Sequence, residues 1–241
     1  MNSNKIILYP KIEDVFSDTE LGMYFKPLLT VTTSISNKIY NIHIIGSDGL
    51  VCEKNIKYSE SYFFGFKYDN GTYDFLGSLE VFKEFDKVPD LYHFLEKDFM
   101  ANKDSYLKNK RGVSKYLEDI KLELEKVSKF NDFSDAEYYA QFYSFEFTKY
   151  YYEKYGKHNH ISVVTENYGK NTDSVLLNDG LSILDEFFLN LEYNLENNYD
   201  INEEMYVLGI HAERFLSIIR GGTILALLDK SKDIVYILEY S

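Results

Sequence analysis

Apolar positions recur along this chain with two different periods, and the change from one to the other divides it into three parts. In the first third, β-branched and aromatic residues run in short segments: Pro27–Ile35, Lys38–Ile45, Leu50–Lys57, Ser61–Tyr68 and Thr72–Phe82. Such segments, separated by turn residues, predict strands. The turns are expected at Ser36-Asn37, Gly46-Ser-Asp-Gly49, Tyr58-Ser-Glu60 and Asn70-Gly71. The last pair suits the positive φ angles of a type I′ hairpin. Tyr40, Ile42 and Ile44 alternate with Asn41 and His43, which predicts a sheet with one face on a core.

The period then lengthens to that of a helix. Pro89-Asp90 opens a segment with Leu91, Phe94, Leu95 and Phe99 on roughly one face, and the polar stretch Ala101–Gly112 can extend it. Ser114 opens a second helix, in which Leu117, Ile120, Leu124 and Val127 fall at helical spacing. Ser134-Asp-Ala-Glu137 is a capping box, pairing an N-cap hydroxyl with a glutamate three residues on. It begins a third helix that ends near Gly156, a natural left-handed stop. That helix is aromatic on nearly every side, from Tyr138 to Tyr152, which predicts central burial. The alternation Phe145-Glu-Phe147 leaves a local strand as the alternative.

A short strand, His160–Thr165, is followed by an acidic helix from Asp179 to about Asn197 with Leu181, Leu184, Phe188, Leu191 and Leu195 turned inward. Four strands close the chain: Tyr206–His211, Phe215–Ile219, Thr223–Leu228 and Ile234–Glu239. Gly221-Gly222 is expected as a two-residue hairpin turn, and Asp229-Lys-Ser-Lys-Asp233 as a longer one. The fold class is therefore α+β: an N-terminal antiparallel β-meander, central helices, and a C-terminal strand-helix-hairpin unit returning to the sheet. One domain over residues 1–241 is the expectation. The alternative is a division into a β-rich part, 1–88, and a helical part with the late strands, 89–241.

Composition narrows the setting. The 45% hydrophobic and 17% aromatic content excludes a disordered chain. Cys52 is the only cysteine, so no internal disulfide can form and a reducing cytoplasm is the expected compartment. The start of the chain has too short an apolar run for a signal peptide, and no run reaches the roughly 20 residues that span a bilayer.

Charge adds the most. The formal net charge is −13, and from Asn171 to Glu213 there are ten carboxylates and no Lys or Arg. The block Ala101–Tyr150, by contrast, is balanced at nine acidic and nine basic residues. Like charge disfavours nucleic-acid backbones and anionic membranes as partners. On the acidic helix, Asp185, Glu192 and Glu196 share one flank, while Glu186, Asn190, Tyr193 and Asn197 face outward. Carboxylates stacked without a basic partner cost the helix a few tenths of a kcal/mol per close pair. Tyr193 and Tyr199 add the amphipathic rings that protein interfaces favour.

Motifs for chemistry are sparse. No nucleophile elbow and no phosphate-cradling glycine loop occurs, and Cys52 reads as a packing residue. Arg220-Gly221-Gly222-Thr223 reads as a turn rather than an anion loop. His158 and His160 would lie on one face of an extended segment, and His211 could supply a third metal ligand from a neighbouring strand. The spacing resembles the cupin metal motif only in part. Glu166 falls five residues after His160, one beyond that family's usual gap, and the second motif is absent. The bland reading of His158-Asn-His160 is a solvated loop after Gly156. No cofactor is expected.

The functional expectation is a cytoplasmic module that docks a basic protein through Asn171–Glu213, with Asp185, Glu186, Glu192, Tyr193, Glu196 and Tyr199 at the contact. Its most concrete form is an immunity or antitoxin protein that inhibits a basic toxin. The alternatives are a metal-dependent enzyme using His158, His160 and His211, and a self-associating structural protein.

Overall fold

The computed structural model describes residues 5–47, 49–60, 62–108, 122, 136–158, 177–178, 195–201, 204–211, 215 and 223–240. Helices and antiparallel sheets are mixed, an α+β fold. Strands β1 (Lys5–Leu8), β2 (Lys26–Ile35) and β3 (Lys38–Gly46) form a three-stranded sheet in that order. A larger sheet holds β4 (Ser59–Glu60), β5 (Phe63–Asp69), β6 (Thr72–Phe75), β7 (Leu177–Asn178), β8 (Tyr206–His211), β9 (Thr223–Asp229) and β10 (Ile234–Tyr240). Its order is β4-β5-β10-β9-β8-β7, with β6 also on β5. The expected meander is thus divided between two sheets. The late strands do return to the early ones, because β10 pairs with β5 from Ile234↔Lys67 to Leu238↔Phe63.

The hairpins follow their local chemistry. Ser36 and Asn37 have φ of 52° and 65°, and Asn70 and Gly71 have 50° and 101°. These are the left-handed pairs that a tight β-hairpin needs. In the β9–β10 turn, Asp229 Oδ1 accepts hydrogen bonds from Ser231 N and Oγ and from Lys232 N at 2.9, 2.6 and 3.2 Å. Two expected strands are different. Leu50–Lys57 is irregular, held by bridges between Cys52 and Phe82 and between Ile56 and Ser59. Its centre, Glu53-Lys-Asn55, is exposed, with no apolar alternation to commit to a sheet face. Thr72–Phe82 is a strand only to Phe75, after which Ser78 caps a single 3-10 turn, Leu79–Val81.

Of the expected strand Phe215–Ile219 and its Gly221-Gly222 turn, all but Phe215 lie outside the described residues. Along its length β9 has β8 on one side and β10 on the other, from His211↔Thr223 to Tyr206↔Leu228 and from Tyr240↔Thr223 to Ile234↔Asp229. Phe215 itself lies in a turn and is buried.

Among the described residues three α-helices accompany the sheets: α1 (Ile12–Val15), α2 (Val88–Lys108) and α3 (Ala136–Tyr155). The polar stretch Ala101–Lys108 belongs to α2. α3 is helical through Phe145-Glu-Phe147 and stops at Gly156, whose φ is 63° and whose N–H bonds the Tyr152 carbonyl. Its aromatic content fills space, with Tyr138, Phe142, Tyr143, Phe145 and Phe147 all buried. Phe142 and Phe147 meet Tyr92 and Phe99 of α2 edge-on at 5.5 and 5.2 Å. The expected helix Ser114–Phe130 and strand His160–Thr165 lie outside the described residues, apart from Leu122.

The main core is shared by both sheets, α2 and α3. The larger sheet buries its other face as well. Phe63, Val207, Leu225, Leu227, Tyr236 and Leu238 form a second cluster, against which Leu195, Tyr199 and Ile201 pack. Residues 195–200 are irregular, so the acidic helix does not reach Asn197.

The outer edge of β3 is closed by side chains from the other sheet. The Tyr73 hydroxyl accepts a hydrogen bond from His43 N at 2.9 Å and donates to His43 O at 3.0 Å. Tyr68 accepts from Asn41 N at 3.1 Å, and His43 Nε2 bonds the Gly71 carbonyl at 2.5 Å. An open strand edge is a template for aggregation, and these contacts remove it. Tyr73 is fully buried, so Tyr73→Phe leaves a buried donor and acceptor on β3 unsatisfied. The expected loss is about 1–3 kcal/mol of stability, read as a lower urea midpoint with an unchanged slope.

Candidate functional site

The late acidic stretch is tied to the larger sheet by a buried carboxylate. Glu60, in β4, is 0% exposed. Its Oε2 accepts from Glu196 N at 2.8 Å, and its Oε1 accepts from Asn197 N and Nδ2 at 3.3 and 3.1 Å. The Tyr199 hydroxyl also bonds Glu60 and accepts from Tyr58 N at 2.8 Å. Burial, and then the Glu60 bond, raise the Tyr199 pKa well above the usual tyrosine range. A buried charge is tolerated where donors surround it, and here they do. The Tyr199 ring packs on Phe63 at 4.8 Å and on Tyr236 at 5.9 Å.

The proposed contact residues are placed as follows. Glu196 is exposed, with its backbone fixed by Glu60. Tyr199 is half-buried and holds the segment to the sheet. Asp185, Glu186, Glu192 and Tyr193 lie outside the described residues. One carboxylate of the stretch is matched by a lysine from elsewhere: Lys232 Nζ sits 2.9 Å from Asp200 and 3.2 Å from Asp229.

His158 is not the solvated loop residue expected after Gly156. His158 is buried, its Nε2 hydrogen-bonded to the Tyr9 hydroxyl at 2.8 Å, its ring stacked on Tyr9 and 5.1 Å from Phe215. His160 and the His211 side chain lie outside the described residues. Among the described residues no group of three or more His, Cys, Asp or Glu side chains could hold a metal ion. Cys52 forms no disulfide and is of intermediate exposure.

A pocket that sequence patterns gave no sign of lies where β2 begins. Lys26 is 3% exposed, and its Nζ donates to the Gly22 and Met23 carbonyls at 3.3 and 3.2 Å. The rings of Tyr92, Tyr138 and Phe142 stand 5.0, 5.3 and 5.9 Å from that nitrogen. The Tyr138 hydroxyl donates to the Met23 carbonyl at 2.6 Å, fixing the turn that faces Lys26. A bulge between Pro27 and Leu29 sets the register of β2 just beyond. A Cβ at Gly22 would come within 2.6 Å of the Ile12 side chain, which would have to shift.

Lys26 borders a cavity of about 200 Å³, lined also by Tyr92, Glu96, Phe142, Glu146 and Lys149. Burial lowers the Lys26 pKa to about 8; Glu146 and Glu96 oppose the shift and Lys149 adds to it. Loss of hydration likewise raises the Glu146 pKa, against the pull of Lys149 and Lys26. In β10, loss of hydration pushes Glu239 up to about 7, opposed by the hydrogen bond it accepts from Ser47 N. No described helix is long and apolar enough to cross a membrane.

No protein-family model, curated protein or solved structure matches the chain.

The depressed Lys26 value carries a pH signature. The group's ordinary pKa is 10.5 and its folded value about 8, so the folded state sheds the proton first. The penalty of burying the ammonium is complete below about pH 8 and fades as pH rises to 10.5. Relative to Lys26→Met, the parent gains stability through that window, by an amount on the order of 3 kcal/mol. Denaturation of both proteins at pH 7.5 and 10 measures it. A Lys26 Nζ signal titrating with the exposed lysines, above pH 10, would contradict it.

Proposed function

We propose that this chain is a cytoplasmic protein-binding module whose acidic Asn171–Glu213 region docks a basic protein. In its most concrete form it acts as an immunity or antitoxin-type inhibitor covering the active cleft of a basic toxin. The observation that carries the reading is regional: ten carboxylates without one Lys or Arg in that stretch. Support comes from the anchoring of the stretch's far end. Glu60 holds the backbone at Glu196 and Asn197 while the Glu196 side chain stays in solvent. A charge presented from a fixed backbone loses less entropy on docking. Tyr199 contributes by holding the segment to the sheet, while Asp185, Glu186, Glu192, Tyr193 and Glu196 make the contact.

A field of one sign speeds encounter with a basic cleft and opposes acidic competitors, nucleic acid and anionic membranes among them. The test is capture of a basic partner from the native cell by the parent and by the triple variant Asp185→Lys, Glu192→Lys, Glu196→Lys. The expected result is a partner held at low salt, released as ionic strength rises to about 0.3 M, and bound at least about tenfold more weakly by the variant. Far-ultraviolet circular dichroism confirms that the variant is folded. Equal capture by both proteins removes the proposed face.

A further inference from the structure

Lys26 is unlike Glu60, which is also buried. Glu60 is surrounded by donors, whereas the Lys26 amine has the Gly22 and Met23 carbonyls and otherwise ring faces. Among the described residues it has no carboxylate in ion-pair contact. A neutral amine has two N–H groups and one lone pair; an ammonium has three N–H groups and none. Two carbonyl acceptors therefore satisfy the neutral form in full. They also leave its lone pair as the one unspent feature, on a nitrogen that borders a cavity. Three further charged side chains line that cavity, Glu96, Glu146 and Lys149, and the last two bear on the amine's chemistry. Lys149 is a second cation, which disfavours charge on Lys26. Glu146 is a carboxyl whose hydration is reduced, so that it holds its proton at higher pH. A desolvated lysine beside another cation is the arrangement that activates an amine toward carbonyl compounds.

We propose that Lys26 captures a small aldehyde or ketone in this cavity as an imine, with Glu146 handling the proton. The nitrogen lone pair adds to the carbonyl carbon, the C=O electron pair moves to oxygen, and a proton passes from nitrogen to that oxygen, giving a carbinolamine. Glu146 then protonates the hydroxyl, which leaves as water while the nitrogen lone pair closes the C=N bond. The products are a protonated imine, one water and the Glu146 carboxylate, with no change of oxidation state. The volume of about 200 Å³ equals roughly seven water-sized spaces, so the compound has few non-hydrogen atoms. Phe142 and Met100 on the wall favour a short aliphatic chain. This site is independent of the acidic region and stands or falls separately from it.

The experiment uses the intact folded protein with butanal and cyanoborohydride, followed by peptide mapping of butylated lysines. At pH 7.5 the larger neutral fraction, offset in part by lower basicity, should make Lys26 react about tenfold faster than the average lysine. Its rate should reach half its maximum near pH 8. Glu146→Gln should slow labelling at Lys26 severalfold while leaving the other lysines unchanged. Labelling of Lys26 no faster than exposed lysines, or only after addition of denaturant, overturns the proposal. An unchanged Lys26 rate in Glu146→Gln overturns the role given to Glu146.

Discussion

The two ladders of β10 hold the rest of the structure in place. This strand lies between β5 and β9 and exchanges backbone hydrogen bonds with both. Because successive side chains point to opposite faces, one insertion serves two cores at once. Val235 and Ile237 join Phe64 and Phe66 in the main core, while Tyr236 and Leu238 join Phe63 in the second. Take β10 away and β5, with β4 and β6 on its other edge, has no link to β9, β8 and β7. The Tyr68 and Tyr73 hydroxyls that close β3 stand on that same early hairpin. So does Glu60, which holds the acidic stretch. The closure of β3 and the hold on the acidic stretch are therefore positioned, at one remove, by a single late strand paired with Phe63–Lys67.

What could be read from the letters was local. Asn70-Gly71 and Ser36-Asn37 name their turns because the required φ angles depend on those residues alone. α3 could be followed from its aromatic content to Gly156, and β8, β9 and β10 from their apolar runs. Errors arose where a distant partner decides. The meander divides because β5 finds β10 rather than β3. His158 is drawn from an apparently polar loop onto Tyr9, 149 residues earlier.

The same distinction hid the chemistry. Lys26 stands before Pro27 at the head of an apolar strand, which in sequence reads as a charge kept in water. Its burial comes from Tyr92, Tyr138 and Phe142, contributed by two helices far along the chain. Glu60, in a turn-like Tyr-Ser-Glu, gives no hint that it will be enclosed by residues 196–199. The two solve the cost of desolvation in opposite ways. One charge is kept by supplying donors; the other is weakened by withholding a counterion. The acidic bias of Asn171–Glu213, by contrast, was plain from the start, because a stretch without Lys or Arg is read from the letters alone.

The late arrival of β10 has a consequence for biosynthesis. At ordinary elongation rates, roughly ten to thirty seconds separate translation of β5 from translation of the strand that covers it. Throughout that interval the margin of β5 that β10 pairs stays open, and Phe63 lacks Tyr199 and Tyr236, the rings on which it packs. Maturation in the cell should accordingly lean on chaperones that shield such margins, and ribosome stalling before codon 234 would yield insoluble fragments rather than truncated but useful protein.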